Sequence, residues 1–234
     1  MNGRAPGLSD NYIETMTTKA KTRESYHHGE LPEVLMNLAL KHIEAEGTQK
    51  LSMRALSREA GVSQTAPYRH FPTIRCLLAA IATRGFEELH ERMRAVTRSD
   101  APLAERYLEM GVVYVEFAQA NPTKYHLMFG SVLGDFSDYA MLRDASTECY
   151  GEVLAMQQQL IVALGREDEL DIDQLGGACW ATVHGIASML INFQGRDHLE
   201  IPTMRAVAKV RRDVRSTLRL LHGQLLGPLQ ETDA

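Results

Sequence analysis

Cysteine is scarce in this chain, and no segment is long and apolar enough to suggest a membrane span. The 234 residues contain three cysteines, Cys76, Cys149 and Cys179, which lie far apart and form no Cys-x-x-Cys or Cys/His ligand spacing. This pattern predicts buried free thiols in a reducing cytosol. No apolar run approaches the roughly 18 residues that a membrane span needs, and no signal-peptide pattern is present. We therefore expect a cytoplasmic protein without a membrane partner.

The chain also lacks the residue clusters that enzymes use. Its nine histidines are scattered without ligand spacing, and it has no nucleophile–base cluster, metal-ligand set or glycine-rich phosphate loop. We therefore predict that the chain is not an enzyme and that it needs neither a metal ion nor a cofactor.

Charge is distributed unevenly along a chain whose formal net charge is −5. Residues 19–98 hold 13 Lys and Arg against nine Asp and Glu, whereas residues 99–234 hold 11 against 19. A basic N-terminal third beside an acidic remainder is typical of a DNA-binding module joined to an effector or dimerisation module. The apolar content of 44% is sufficient for a real core.

The stretch LSMRALSREAGVSQTAPYRHFP, residues 51–72, contains two short helical patterns that meet at a glycine. Ser52 is a favourable N-cap for the first helix, Gly61 ends it, and Ser63 is predicted to cap the second. Two short helices joined by a tight turn predict a helix-turn-helix over about 51–70, whose second helix can enter a DNA major groove.

The remaining segments also have helical patterns, and no strand pattern occurs, so the predicted fold is all-α with about nine helices. Residues 1–28 are polar and aperiodic, which predicts a flexible arm. A helix of roughly 24 residues from Thr73, about 36 Å long, is expected to connect a DNA-reading head, 29–90, to a body, 99–228. Further helices are predicted at about 32–46, 102–119, 121–129, 138–164, 172–194 and 202–225.

Several interlocking positions over about residues 30–90 resemble the TetR family of bacterial transcriptional regulators. The first helix ends in Glu-Gly, LSMRALSREAGVS follows, and then come Tyr68-Arg69-His70-Phe71 and Leu77-Leu78. The second half resembles, more loosely, a subgroup whose effector domain carries Trp-x-x-x-His-Gly, here Trp180 to Gly185. The resemblance implies a three-helix helix-turn-helix head, joined by the long helix to a C-terminal ligand-binding and dimerisation domain.

The turn and the resemblance together predict a set of DNA contacts. Side chains at the start of a recognition helix reach base edges, so Gln64 is expected to pair with adenine and Thr65 to touch a thymine methyl or a phosphate. For Tyr68 the alternative is a half-buried aromatic ring that supports the turn, and for Arg69 a solvated charge. The predicted set is Ser52, Arg54, Ser63, Gln64, Thr65, Tyr68, Arg69, His70 and Arg75.

Two positions depart from the family pattern. Many members carry Leu, Ile or Val where this chain has Pro67, which removes a backbone donor and disfavours α geometry at Ala66. We therefore expect a tight, 3₁₀-like start to the recognition helix. Members often carry a phosphate-binding lysine after the phenylalanine, whereas this chain has Thr73-Ile74-Arg75, with Arg75 displaced by one position.

The last two predicted helices, about 172–194 and 202–225, are expected to pair with their copies in a homodimer, as the resemblance implies. Gly177, Ala181, Gly185 and Ser188 form a small-residue face on the first of them that permits close helix approach. The basic side chains of the second are interpreted as a solvated face, or one that forms salt bridges between subunits, rather than as DNA contacts.

Large apolar and aromatic side chains of the body predict an effector pocket, with core packing as the alternative for each one. For His184 the alternative is a hydrogen bond inside the bundle. The predicted lining is Tyr107, Met110, Tyr114, Phe117, Met128, Phe129, Met156, Trp180 and His184.

These features predict a ligand-responsive repressor that binds a pseudo-palindromic site on double-stranded DNA and is released by a small apolar or aromatic effector. The alternative is a helical ligand-binding or protein-interaction module without specific DNA binding. DNA affinity that falls steeply with salt distinguishes the two.

Overall fold

The computed structural model describes residues 31–196 and 201–226, and this part of the chain contains nine α-helices and no strand. The helices are α1 Leu31–Glu46, α2 Met53–Glu59, α3 Ile74–Thr97, α4 Leu103–Ala120, α5 Pro122–Phe129, α6 Ala140–Ala163, α7 Ile172–Asn192, α8 Pro202–Arg212 and α9 Val214–Leu226. Short 3₁₀ segments lie at Thr48–Lys50, Pro67–Arg69 and Phe136–Asp138. The predicted all-α fold is confirmed, while the predicted arm at 1–28 lies outside the described residues.

The N-terminal head is a small core formed by α1, α2 and the first turns of α3. Leu35 and Leu56 are fully buried there, and Phe71 is 7% exposed, as expected for a core side chain. Ser52 caps α2 as predicted, since its hydroxyl accepts a hydrogen bond from the Ala55 backbone N–H at 3.2 Å. Gly61, at φ +69°, ends that helix in the left-handed conformation that glycine adopts without strain.

Helix α3 belongs to both parts of the molecule. Its N-cap is Thr73, whose hydroxyl accepts the Cys76 backbone N–H at 3.1 Å, and the helix then continues for 24 residues. It packs on α1 in the head and on α4, α5 and α6 in the body. The predicted connecting helix is therefore confirmed in position and length.

One prediction about the helices of the body is wrong. The segment predicted as one helix over about 202–225 is two, because Asp213 leaves the helical conformation at φ −146° and ψ 77°. The Asp213 carboxylate accepts the Ser216 backbone N–H at 2.9 Å and thereby caps α9. Asn121 does not cap α5 with its side chain, because its amide donates to the Phe117 carbonyl at 3.0 Å and so closes the end of α4.

The body surrounds α4, which packs against α3, α6, α7 and α9. The basic side chains of α9 pair within the chain: Arg215 and Arg219 lie 3.1 and 2.8 Å from Glu105 of α4, and Arg215 also contacts Glu109. These pairs hold α9 on α4 and give the basic face a structural role. None of the helices in the two described ranges is long and apolar enough to cross a membrane.

Candidate DNA interface and ligand cavity

The nine side chains predicted to touch DNA all lie on the surface of the head. Tyr68 is 52% exposed, an exposure that fits both a DNA contact and a half-buried ring that supports the turn. Its neighbour Pro67 is buried, and Phe71 holds the segment on the core. The contacts themselves stay predictions, and the residues lie on α2 and its N-cap, on the segment that follows and on the first turn of α3. The exposed set is Ser52, Arg54, Ser63, Gln64, Thr65, Tyr68, Arg69, His70 and Arg75.

Residues 63–70, predicted as the recognition helix and called the recognition segment below, contain less helix than predicted. Residues 63–66 form a turn, and only Pro67–Arg69 is helical, with 3₁₀ geometry. Pro67 has no N–H to donate to the Ser63 carbonyl, and the Ala66 N–H takes that acceptor instead at 3.1 Å. Ala66 nevertheless keeps α geometry, at φ −59° and ψ −45°. The 3₁₀-like expectation is confirmed, whereas the disfavoured geometry at Ala66 is not observed.

The structure also shows the surroundings of Ser63 and Arg75. Ser63 was expected to cap the second helix, but its hydroxyl lies 3.2 Å from the Thr65 hydroxyl and makes no capping bond. Arg75 is exposed in the first turn of α3, beside the Thr73 cap. The N-terminal end of a helix attracts phosphate through its partial positive charge, and Arg75 adds a full charge there.

The body contains an apolar cavity of about 840 Å³ between α3, α4, α6, α7 and α9. This volume lies within the range of small-molecule sites, and aromatic and methionine side chains form much of its wall. Six of the nine predicted residues line it: Tyr107, Met110, Tyr114, Met128, Phe129 and Trp180. The structure brings these six together from three helices, α4, α5 and α7.

The other three predicted residues lie outside the lining. Phe117 is fully buried and Met156 is 2% exposed, so both are core side chains. His184 belongs to a hydrogen-bonded group in which its Nδ1 lies 2.7 Å from the Tyr125 hydroxyl and 3.0 Å from the Tyr114 hydroxyl. Burial lowers the pKa of His184, so the ring is neutral near pH 7. Its alternative interpretation, a bond within the bundle, is the one that the geometry supports.

Sequence reasoning missed several lining residues. Phe86, Leu89 and Met93 of α3 line the cavity and were not among the predicted residues. His222 of α9 was also missed, and a signal for it existed, since it follows Leu218 by four residues and falls on the same apolar stripe.

The described lining contains no Lys, Arg, Asp or Glu, so its polarity comes from neutral groups. Gln157 is fully buried, and its Nε2 donates to the Tyr107 hydroxyl at 2.9 Å. The Tyr107 ring lies 4.9 Å from the ring of His222, which is 2% exposed. Burial lowers the pKa of His222 to about 4, so this imidazole is also neutral at pH 7.

The cysteines are free thiols, as predicted, and Cys149 and Cys179 are buried while Cys76 is half-buried. Burial raises the pKa of Cys149 to about 12, with the Glu152 carboxylate as a second cause. Such thiols stay protonated and unreactive at neutral pH.

Helix α5 connects the cavity to the head. Met128 of α5 lines the cavity and covers Gly85 of α3, where an added Cβ would lie 2.5 Å from its sulfur. Lys124 of α5 pairs with Glu88 of α3, with its Nζ 2.7 Å from both carboxylate oxygens. Helix α5 also packs on α1 of the head. A change in cavity shape therefore has a short structural route to the DNA-reading segment.

Comparisons with known proteins agree with this arrangement. Residues 35–81 match the family model of bacterial regulatory proteins, tetR family, and residues 107–203 match the tetracyclin repressor-like, C-terminal domain. A solved protein of unknown function from a Rhodococcus species is 28% identical with a TM-score of 0.65, over 83% of this chain and 96% of that one. The TetR family regulator PfmR from Thermus thermophilus is 15% identical with a TM-score of 0.58, over 84% of this chain and 99% of that one, and shows likeness of fold.

Among curated proteins, the nucleoid occlusion factor SlmA of Vibrio vulnificus is 26% identical over 129 residues. The match covers 55% of this chain and 65% of the relative, so less than two thirds of the relative's length is represented.

Proposed function

We propose that this chain, which belongs to the TetR family of bacterial regulatory proteins, is a repressor that leaves its operator when a small apolar or aromatic effector fills the cavity. DNA binding and transcription regulation follow from the family. Repression, and release by an effector, are the proposed part, as is a site of action in the bacterial cytoplasm.

The observation that supports effector release is the course of α3. The helix begins at Thr73, next to the exposed recognition segment, and three of its side chains further along line the cavity. Widening of the cavity requires a different position of α3. An effector that fits the wider cavity better would therefore favour that position. Because a ligand shifts an equilibrium only by its differential affinity, the effector must bind the DNA-free arrangement more tightly.

We further propose a homodimer in which α7, α8 and α9 meet their copies. On α7, Ala181 and Gly185 are exposed, and on α9, Leu220 is 65% exposed. Two heads held in this way would bind a pseudo-palindrome whose half-sites lie about one helical turn apart, roughly 34–36 Å. The Trp-x-x-x-His-Gly subgroup is also part of the proposal, with the Trp180 and His184 rings 5.2 Å apart.

The test is selection of bound fragments from genomic DNA by the purified full chain, followed by binding measurements on the enriched site at several salt concentrations. We expect a palindromic motif, affinity that falls steeply with salt, and weaker binding after Thr65→Ala. Candidate apolar molecules are then added, and release of the site is measured. Enrichment of no palindrome, or affinity indifferent to both salt and Thr65→Ala, would contradict the proposal.

Two other functions are separated by the same measurements. A helical ligand-binding or interaction module would bind apolar molecules without site-specific DNA binding. The match to a nucleoid occlusion factor supports a second candidate, a DNA-binding protein with that role, and this alternative predicts site-specific DNA binding without release by apolar molecules.

A further inference from the structure

The cavity region contains two groups of neutral polar side chains that differ in how completely they are hydrogen-bonded. In the first group, Tyr114 and Tyr125 both bond to His184, at 3.0 and 2.7 Å. In the second group, formed by Tyr107, Gln157 and His222, the Nδ1 of His222 and the Oε1 of Gln157 have no hydrogen-bond partner among the described residues. Buried polar atoms are nearly always paired, so the second group is the exception that needs an explanation.

His222 is placed to form a hydrogen bond with a ligand through its unpaired Nδ1. It lines the cavity, it is 2% exposed, and its ring is held against the Tyr107 ring at a centroid distance of 4.9 Å. Since the imidazole is neutral, Nδ1 is either a donor or an acceptor, depending on the tautomer. In both cases it can form one hydrogen bond with a neutral partner.

Tyr107 offers a second polar atom beside it. Its oxygen accepts the Gln157 amide N–H at 2.9 Å, and its O–H points to the Cys179 sulfur, a weak acceptor that a ligand oxygen can replace. Burial strongly raises the pKa of Tyr107, so the hydroxyl keeps its proton. Apolar side chains, among them Met110, Leu89 and Met93, form much of the remaining lining, and the Cys179 thiol and the Tyr150 hydroxyl add neutral polar groups.

The absence of charge in the described lining sets the class of ligand. A carboxylate or an ammonium group placed in this cavity would lose its hydration without an opposite charge to replace it, which is strongly unfavourable. A single neutral oxygen would instead satisfy groups that are otherwise unpaired.

We infer that the effector is an uncharged, largely apolar molecule with one hydroxyl or carbonyl group, whose oxygen bonds to the Nδ1 of His222 beside the Tyr107 hydroxyl. This inference rests on the proposed effector function, and it specifies the chemistry that the effector must have. His222 belongs to α9, which pairs with α4 through Arg215 and Glu105, so the polar end of the ligand contacts the helix proposed to form the dimer.

The experiment uses two matched probe sets at pH 7, titrated calorimetrically into the full chain. One set is biphenyl, 4-hydroxybiphenyl, 4-acetylbiphenyl and biphenyl-4-carboxylate, and the other is dodecane, 1-dodecanol, 2-dodecanone and dodecanoate. We expect the neutral oxygenated probes to bind about 3- to 10-fold more tightly than the hydrocarbons, as one hydrogen bond allows. The carboxylates should bind at least about 100-fold more weakly than the neutral oxygenated probes. Tighter binding of the alcohol than of the ketone indicates that Nδ1 accepts, whereas tighter binding of the ketone indicates a donor at Nδ1 or at the Tyr107 hydroxyl, and both outcomes support the inference.

Variants locate the polar contact. In His222→Phe the preference for oxygenated probes over hydrocarbons should disappear, while His222→Asn, whose amide lies near the place of Nδ1, should retain part of it. His126→Phe is the matched control, because His126 is exposed on α5 and outside the lining. Thermal unfolding of each variant without ligand establishes that it folds. If His222→Phe does not fold, His222→Asn still tests the polar contact.

Carboxylates that bind as tightly as the alcohols, neutral oxygenated probes that do not bind, or a preference unchanged in both His222 variants would overturn the inference. Release of the enriched DNA site is measured in parallel. Release driven best by carboxylates would leave the repressor proposal standing and overturn this inference. Selective binding of the alcohols without DNA release would leave the ligand chemistry standing and overturn the repressor proposal.

Discussion

At the scale of single residues, exposure and burial separate the side chains of the head by role. Tyr68 is 52% exposed, whereas Phe71, three residues later, is 7% exposed. Both are aromatic, so hydrophobicity alone does not distinguish them. The 3₁₀ segment that begins at the buried Pro67 turns the first ring outward and the second inward. An exposed phenol on the recognition segment is suited to donate to a phosphate oxygen.

The substitution Tyr68→Phe should weaken binding to the selected DNA site by about 5- to 30-fold, because it removes one hydrogen bond to a charged acceptor, about 1 to 2 kcal/mol. The loss should be similar for unrelated sequences, since a phosphate contact carries no sequence information. Fluorescence anisotropy on the selected and a scrambled duplex measures both. Tyr139→Phe, at a half-buried position outside the head, is the control. Unchanged affinity for Tyr68→Phe would remove this residue from the contact set.

Burial of His222 also predicts a pH dependence of stability. Its pKa in the folded chain is about 4, whereas an unfolded histidine titrates near pH 6.5. Because the unfolded chain binds the proton first, the folded state loses stability as the pH falls from about 6.5 toward 4, and keeps it above that range. This difference in pKa corresponds to a loss of roughly 3 kcal/mol at most in the free energy of unfolding.

Urea unfolding at pH 7.5 and pH 4.5 measures this effect. In His222→Phe the loss of free energy of unfolding between the two pH values should be smaller than in the natural chain by about 1 to 3 kcal/mol. His184 contributes a loss of the same sign, because burial also lowers its pKa, and that part should persist in the variant. An equal pH dependence in both proteins would show that the ring of His222 is accessible to protons in the folded state.

At the scale of elements, sequence patterns predicted interiors of helices better than their ends. The long α3 and its start at Thr73 followed from apolar spacing, and both are found. The break at Asp213 was missed because the apolar stripe continues through it, from Val210 to Val214. Only the local competition of the Asp213 carboxylate for the Ser216 N–H decides the break, and spacing carries no information on that.

At the recognition segment the sequence predicted the local conformation but not how far the helix extends. Pro67 correctly predicted a 3₁₀ conformation, because the loss of one backbone donor is a local effect. Its extent was not predictable, since the turn at residues 63–66 depends on how Phe71 and α1 hold the segment on the head.

The contact between α3 and α5 carries a prediction at this scale. In Gly85→Ala the added methyl group would lie 2.5 Å from the Met128 sulfur, so the Met128 side chain must move, and it lines the cavity. We expect binding of 4-hydroxybiphenyl to weaken by about tenfold, since overpacking costs about 1–3 kcal/mol. The free energy of unfolding should change less, because alanine favours a helix over glycine by about 1 kcal/mol.

The double variant Gly85→Ala with Met128→Ala is the control for that mechanism, because it removes the side chain that must move. Its affinity for the probe should be closer to that of the natural chain than the affinity of Gly85→Ala is. If the two variants bind equally weakly, the effect of the methyl group passes through the backbone of α3 and not through Met128.

At the scale of the whole molecule, the cavity is the feature that the sequence located only in part, since six of the nine predicted residues line it. Its lining comes from helices far apart in the chain, from Phe86 in α3 to His222 in α9. Apolar patterns identify which face of each helix is inward, yet they do not distinguish the part of the interior that is filled, around Phe117, from the part that is open. That distinction depends on how the helices cross, which is fixed by packing between distant elements.

The proposed dimer supplies the last prediction. The exposed face of α7 contains Ala181 and Gly185, and no atom lies within 4 Å of the place where a Cβ on Gly185 would be. In a two-fold interface each residue near the axis lies close to its own copy, so Ala181→Glu brings two negative charges together where close helix approach is needed. We expect the variant to be monomeric by light scattering and to bind the palindromic site about 100-fold more weakly or worse, because two linked heads bind with far higher avidity than one.

Ala140→Glu is the matched control, since it makes the same change at an exposed position at the start of α6. Both variants should keep the helical content of the natural chain by circular dichroism, and both should bind 4-hydroxybiphenyl, because neither residue lines the cavity. A monomer that still bound the palindrome at full strength would mean that one head is sufficient for recognition. An Ala181→Glu variant that stayed dimeric with full affinity would move the interface away from α7, and the distance between the two recognition segments would then be set by another surface.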